Sequence, residues 1–134
     1  MAKKIDLDTA LRLIDGAKKK ALEIKVPMDI AVVDAGNNLV AFQRMDGAWL
    51  GSINIAMNKA YTARAFDMET KTLAPFCQPG QPLFGIHASN DGRLIIFPGG
   101  IPLMDGNTVI GAIGVSGGSV EQDQLVAEAG AAAL

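Results

Sequence analysis

Four cationic side chains in the middle of this 134-residue chain could hold the carboxylates of a small molecule. The planar guanidinium of arginine pairs with a carboxylate through two parallel hydrogen bonds, which makes it suited to this task. The lysine of this set lies among alanines in a helical pattern, so that a pocket wall and an ordinary surface charge are both open interpretations. The four candidates are Arg44, Lys59, Arg64 and Arg93.

The turn Ser116-Gly117-Gly118 is a further candidate for binding an anion. It leads from an apolar strand pattern to the N-terminus of a closing helix, where backbone N–H groups can hold a negative charge. Ser119 and Gln122 have the spacing of a capping box. A tight strand-to-helix turn also needs glycine for its geometry alone, so the ligand-binding and the purely structural interpretations both stay open.

Two side chains could act as a general base, Asp46 and the only histidine, His87. His87 lies in a loop-like stretch rich in glycine and proline, where a single histidine often has no special role. The one cysteine, Cys77, excludes an internal disulfide and a cysteine-rich zinc site. We therefore predict no metal site, unless His87 ligates a haem iron.

Composition and charge exclude several classes of protein. The formal net charge of −2 gives no basic field for nucleic acid. No apolar run approaches the roughly 18 residues that a membrane span needs, and the first residues do not resemble a signal peptide. We expect a cytoplasmic protein without a membrane or nucleic-acid partner, folded as one domain over residues 1–134.

Helical periodicity covers three parts of the chain. Apolar residues three and four positions apart predict an amphipathic helix from Leu7 to about Ile24, with Asp6 as its N-cap. A second helix is predicted from Trp49 or Gly51 to Phe66, and its small inner face would let the helix backbone lie close to a sheet. A short helix capped by Ser119 closes the chain.

Apolar runs bounded by turn residues predict the strands. Because adjacent strands are flanked by helices and do not alternate with them, the pattern favours an α+β fold with an antiparallel sheet. The predicted strands cover residues 29–34, 39–44, 93–97, 99–103 and 108–115.

Three stretches taken together resemble the GlcG/HbpS family, which includes the C-terminal domain of PduO. The resemblance implies a profilin-like α-β-α layered domain, with a five-stranded antiparallel sheet flanked by helices, that forms homo-oligomers. The stretches are Val33-Asp34-Ala35-Gly36-Asn37 with Arg44-Met45-Asp46-Gly47-Ala48, then Ile55-Ala56-Met57-Asn58-Lys59-Ala60, and finally Gly99-Gly100-Ile101-Pro102-Leu103 with residues 110–118 and Asp123.

The resemblance leaves three functions open. The first is a site for a small organic acid in a catabolic pathway such as aromatic breakdown, with tautomerase or isomerase chemistry on an unsaturated keto acid. His87 or Asp46 would then be the base, and Arg44 or Lys59 would stabilise the enolate. Arg64 and the Ser116-Gly117-Gly118 turn would help to bind the acid.

The second function is binding of haem, with His87 as the candidate axial ligand and basic groups facing the propionates. The N-terminal helix, where such domains could carry a ligand, has no histidine. The third function is that of an oligomeric accessory protein without chemistry. We rank the organic acid slightly above haem, and the accessory role last; no cofactor is required by the first.

Overall fold

The computed structural model describes residues 3–134 and folds them into a sheet between two helical layers. Three 3-10 turns lie within residues 74–92. The helices are α1 (Leu7–Ile24), α2 (Gly51–Phe66), α3 (Thr70–Leu73) and α4 (Val120–Ala131), and the strands are β1 (Asp29–Asp34), β2 (Leu39–Arg44), β3 (Gly100–Asp105) and β4 (Thr108–Ser116).

The sheet is antiparallel, with its four strands in the order β2-β1-β4-β3. At the start of β1, Asp29 lies opposite Arg44 on one side and opposite Ser116 on the other. The beginning of β1, the end of β2 and the end of β4 therefore meet at one end of the sheet. The β1–β2 turn, where the Asp34 carboxylate accepts hydrogen bonds from the N–H groups of Gly36 and Asn38, lies at the opposite end.

The two faces of the sheet are covered by different helices. Helices α1 and α4 pack on the face that presents Ile30 and Val32, and α2 packs on the face that presents Ala31 and Val33. Glycines in the strands let α2 lie almost directly on the sheet, because a Cβ at Gly100 would lie 2.5 Å from the Lys59 carbonyl oxygen. The small inner face of α2 thus has the predicted effect.

Helix starts follow the local sequence signals. The Asp6 carboxylate accepts a hydrogen bond from the Thr9 N–H at 2.8 Å, and Ser119 and Gln122 form both bonds of the capping box. These caps are confirmed as predicted. Within residues 3–134, no helix combines the length and the apolar composition needed to cross a membrane.

The sheet has four strands rather than the five predicted, because residues 93–97 do not join it. The Ile95 N–H donates to the Thr62 hydroxyl of α2 at 3.0 Å, where a strand would bond to a neighbouring strand. Arg93 stacks over the Tyr61 ring of the same helix, with its guanidinium carbon 3.6 Å from the ring centroid. This segment is therefore bound to α2 and not to the sheet, and its apolar pattern reflects packing against a helix.

Candidate functional site

A groove lined largely by basic and apolar side chains runs along the end of the sheet where β1 begins. It consists of three neighbouring open cavities of about 290, 310 and 330 Å³, of which the 310 Å³ cavity shares lining residues with each of the other two. We call it the basic groove. Its lining residues are Lys18, Ala21, Leu22, Lys25, Val26 and Pro27, then Gln43, Arg44, Met45, Asp46, Gly47, Ala48 and Trp49, and finally Gly117, Gly118, Ser119 and Gln122.

The charge of the basic groove favours an anion. Three cations, Lys18, Lys25 and Arg44, line it against a single carboxylate, Asp46. Within residues 3–134, none of the three cations has an acidic side chain within ion-pair distance. Because they form no ion pair with these residues, their N–H donors are available to the carboxylates of a ligand.

Apolar side chains form the rest of the groove wall. Leu22 and Met45 lie between the cations, and Trp49 stands at the other end with 65% of its surface exposed. The sulfur of Met45 accepts a hydrogen bond from the Met28 N–H at 3.4 Å, which holds this side chain against β1. Such a wall suits a ligand that has a flat or apolar body as well as acidic groups.

The glycine turn lines the groove, but its amides already have partners. The Gly118 N–H donates to Asp123 Oδ1 at 2.9 Å, and the Ser119 N–H donates to the side-chain oxygen of Gln122 at 2.9 Å. The anion held by this turn is thus the protein's own Asp123 carboxylate. Gly117 and Gly118 contribute a groove wall, while Ser116 is buried behind it.

Lys59 lies in the core and does not line the groove. Its ammonium group donates to Asp123 Oδ2 at 2.8 Å and to the Val115 carbonyl oxygen at 2.8 Å, with no solvent exposure. Burial lowers the pKa of Lys59 and raises the pKa of Asp123, and in each case the attraction of the partner opposes the shift. The structure therefore separates Lys59 from Arg44 and Asp46.

Arg64 is also remote from the groove. It binds the Ala35 carbonyl oxygen at 2.8 Å and pairs with Asp67 near the β1–β2 turn. Since β1 spans six residues, this end lies roughly 17 Å from Arg44 at about 3.4 Å a residue.

His87 and Arg93 both lie in the segment that packs along α2. His87 is exposed and contacts the Phe84 ring edge-to-face at a centroid distance of 5.8 Å. Neither residue lines the basic groove. Within residues 3–134, no cluster of three or more histidine, cysteine, aspartate or glutamate side chains could hold a metal ion.

The sequence reasoning missed Asp29, whose carboxylate is fully buried and has, among residues 3–134, no hydrogen-bond partner on either oxygen. Burial raises its pKa, and the positive charge of Arg44 opposes this effect. On the same face, the Ser116 hydroxyl donates to the Ser52 hydroxyl at 3.0 Å. An aspartate directly before four apolar strand residues, 30–33, was the available signal.

Lys18, Lys25 and Trp49 were missed as well. Lys18 and Leu22 are four residues apart and so lie on one side of α1, and Lys25 follows directly as the C-cap of that helix. That spacing was available in the sequence, although the neighbouring lysines 19 and 20 made Lys18 resemble part of a solvated face. Lys19 and Lys20 pair with Asp15 and Glu23 outside the groove.

Comparisons with known proteins agree with the resemblance seen in the sequence. The model of the family described as "Haem degrading protein HbpS-like" matches residues 5–132. A 15.0 kDa protein from the dhaT-dhaS intergenic region of Citrobacter freundii is 46% identical over 124 residues, which cover 92% of this chain and 87% of that protein.

Two solved structures are similar over nearly the whole chain. The Klebsiella pneumoniae protein ORFY has a TM-score of 0.96 and 42% identity, and the match covers 99% of this chain and 92% of ORFY. A PduOC:haem complex has a TM-score of 0.94 and 34% identity, with 98% of this chain and 96% of PduOC covered. With a family-model match from residue 5 to residue 132 as well, this chain belongs to the HbpS-like family.

Proposed function

We propose that this protein binds haem, or a closely related tetrapyrrole with carboxylate side chains, in the basic groove. The observation that carries the proposal is the presence of three unpaired cations, Lys18, Lys25 and Arg44, beside the apolar wall of Met45 and Trp49. The cations suit the propionates, and the apolar wall suits the macrocycle. The haem bound by a PduOC relative of 34% identity supports the choice of ligand.

The groove offers contacts for the propionate edge and the ring of haem, but hardly any ligand for its iron. Among the lining residues, Met45 alone has a side chain of a type that ligates haem iron, and its sulfur already accepts a hydrogen bond from Met28. His87 lies outside the groove. We therefore assign the binding energy to the propionates and the ring, and bound haem would supply a redox-active iron on which this proposal does not depend.

A haemin titration followed by Soret absorbance tests this proposal in wild-type protein and in Arg44→Met, with Lys19→Met as the matched control. We expect saturable binding, weakened about 5–10-fold in Arg44→Met because one charge-assisted contact is lost. Lys19→Met, which removes an equal charge beside the groove, should bind as wild type. An unsaturable absorbance change, or equal affinities in all three proteins, contradicts the proposal.

Iron-free protoporphyrin IX sharpens the same test. Because the groove offers the iron no histidine, we expect protoporphyrin IX to bind within about threefold of haemin, a difference of less than 1 kcal/mol. The His87→Ala protein should keep the wild-type Soret band. Loss of the band in His87→Ala would show that the iron is bound elsewhere and would overturn the assignment to the groove.

A small organic acid is the second candidate ligand, favoured by the modest size of each cavity, about 290–330 Å³. Displacement of haemin by an unsaturated keto acid would support it. Tautomerase chemistry is not part of this proposal: Lys59 and His87 do not line the groove, which leaves Asp46 and Arg44 as the remaining pair of the predicted base and enolate-stabilising residues there.

The homo-oligomer remains a proposal as well. Large apolar side chains are exposed on the segment between α3 and β3, which is compatible with a subunit interface. They are Phe76, Leu83, Phe84 and Phe97. The cytoplasmic location stays a prediction from the sequence.

A further inference from the structure

The buried ion pair between Lys59 and Asp123 joins helices on opposite faces of the sheet. Their side chains are 0% and 4% exposed, and the ring of Phe97 covers the ammonium at 5.0 Å from its centroid. A buried ion pair contributes little net stability compared with apolar residues of the same volume. Net stability therefore does not account for this pair, and its further contact with the groove wall suggests a second role.

Asp123 connects this pair to the wall of the basic groove. One carboxylate oxygen binds Lys59 at 2.8 Å, and the other accepts the Gly118 N–H at 2.9 Å. Gly117 and Gly118 line the groove opposite Trp49 and Ala48. A single carboxylate thus holds the groove wall from beneath, while the lysine fixes the carboxylate.

Close packing limits the movement of the Lys59 side chain and of the groove wall. A Cβ at Gly99 would lie 2.7 Å from Lys59 Nζ, and a Cβ at Gly117 would lie 2.7 Å from the Pro27 carbonyl oxygen. A side chain at residue 99 would therefore require the Lys59 ammonium or the backbone at residue 99 to move. The groove wall rests on Pro27, which lines the groove itself.

We infer that Lys59 and Asp123 are positioning residues for the basic groove. Neither side chain contacts the ligand. The Asp123 carboxylate holds the backbone of the Gly117–Ser119 wall in the position that shapes the groove for the ligand. Loss of the lysine frees the carboxylate, and the wall loses its fixed position. The effect on ligand affinity rests on the proposed function, whereas the effect on the wall does not.

Amide hydrogen exchange tests the wall without any ligand. The variants are Lys59→Met and Asp123→Asn, and the internal reference is the Asn38 N–H, which likewise donates to an aspartate carboxylate, at 3.0 Å. We expect Gly118 to exchange about tenfold faster relative to Asn38 in Lys59→Met, as loss of about 1.4 kcal/mol in one bond predicts. An unchanged ratio overturns the inference, whether or not haemin binds.

Haemin affinity provides the second readout, measured where circular dichroism shows every variant to be folded. Lys59→Met should bind about 5–10-fold more weakly than wild type. Lys59→Met/Asp123→Asn should recover most of the loss, because it removes the buried charge and keeps a side-chain oxygen that accepts the Gly118 N–H. Leu13→Ala, a core variant that leaves the pair intact, should lose stability with unchanged affinity. If Leu13→Ala weakens binding equally, the role is structural and the inference fails.

The two readouts separate the failure of this inference from the failure of the proposed function. If wild-type protein binds no haemin but Gly118 exchange rises selectively, the proposed ligand is wrong and the positioning role is supported. If haemin binds but Lys59→Met changes neither exchange nor affinity, the positioning role is wrong. Should Lys59→Met fail to fold, Asp123→Asn gives the same comparison with the lysine in place.

Discussion

Two buried aspartates lie near the same end of the sheet, and their surroundings are opposite. Asp123 has a partner on each oxygen, the Lys59 ammonium on one and the Gly118 N–H on the other. Asp29 has none on either oxygen, although no part of it is exposed to solvent. Burial raises the pKa of both, but only in Asp123 do hydrogen bonds to the charged form oppose that shift.

The difference shows what a buried carboxylate does to a fold. A carboxylate with partners links elements, here α2, α4 and the groove wall, and its removal leaves a buried lysine uncompensated. A carboxylate without partners costs stability. Asp29 and Arg44 lie side by side across β1 and β2, so this cost is located beside the proposed ligand site.

The largest expected effect on stability comes from breaking the ion pair between Lys59 and Asp123. Lys59→Met should lower the free energy of unfolding by about 3–5 kcal/mol, because Asp123 stays buried without its counter-charge. Urea denaturation measures the change. Lys59→Met/Asp123→Asn should be more stable than Lys59→Met alone, and a double variant less stable than either single variant would contradict this account of the pair.

Removing the unsatisfied charge should have the opposite sign. Asp29→Asn should raise the free energy of unfolding at pH 7 by about 1–2 kcal/mol, or the Tm by roughly 3–8 °C, because a neutral amide costs less to bury than a charge.

The pH dependence follows from the direction of the pKa shift. Because the pKa of Asp29 in the folded protein lies above the ordinary aspartate value of 3.8, its protonated form favours folding, and that contribution is lost as pH rises through the folded pKa. The advantage of Asp29→Asn should therefore shrink as pH falls towards 3.8, as thermal melts across this range would show. A variant less stable than wild type at pH 7 would mean that the carboxylate has a favourable partner.

The smallest expected effect concerns the hydroxyl pair beside Asp29. Ser116→Ala removes the 3.0 Å hydrogen bond to Ser52 and should cost about 1 kcal/mol. Measured again in an Asp29→Asn background, the cost should be the same if the hydroxyls do not solvate the carboxylate. A coupling energy above about 0.5 kcal/mol would show that they do.

Much of the fold could be predicted because its signals are local. The β1–β2 hairpin, both capped helices and the β3–β4 pair follow from turn residues, caps and apolar periodicity. The prediction of a strand at residues 93–97 was wrong, because an apolar run has the same pattern whether it packs on a sheet or on a helix. The contact with Thr62, 33 residues away, decided the outcome.

The candidate site could be predicted only in part. The basic groove is lined by four of the predicted residues, Arg44, Asp46, Gly117 and Gly118, which the sequence places at or just after the ends of strands. Whether a lysine on a helix of small residues lines a pocket or lies in the core depends on its partner. For Lys59 that partner is Asp123, 64 residues later.

The sequence by itself determined most of the secondary structure, two helix caps, the family and the residue types available to meet a carboxylate, because these depend on near neighbours and on motifs. Tertiary structure alone decided which cations share a groove, that the glycine turn binds the protein's own Asp123, and that Asp29 is buried without a partner. These features depend on distances between elements far apart in the chain, and the close packing of α2 on the sheet sets those distances.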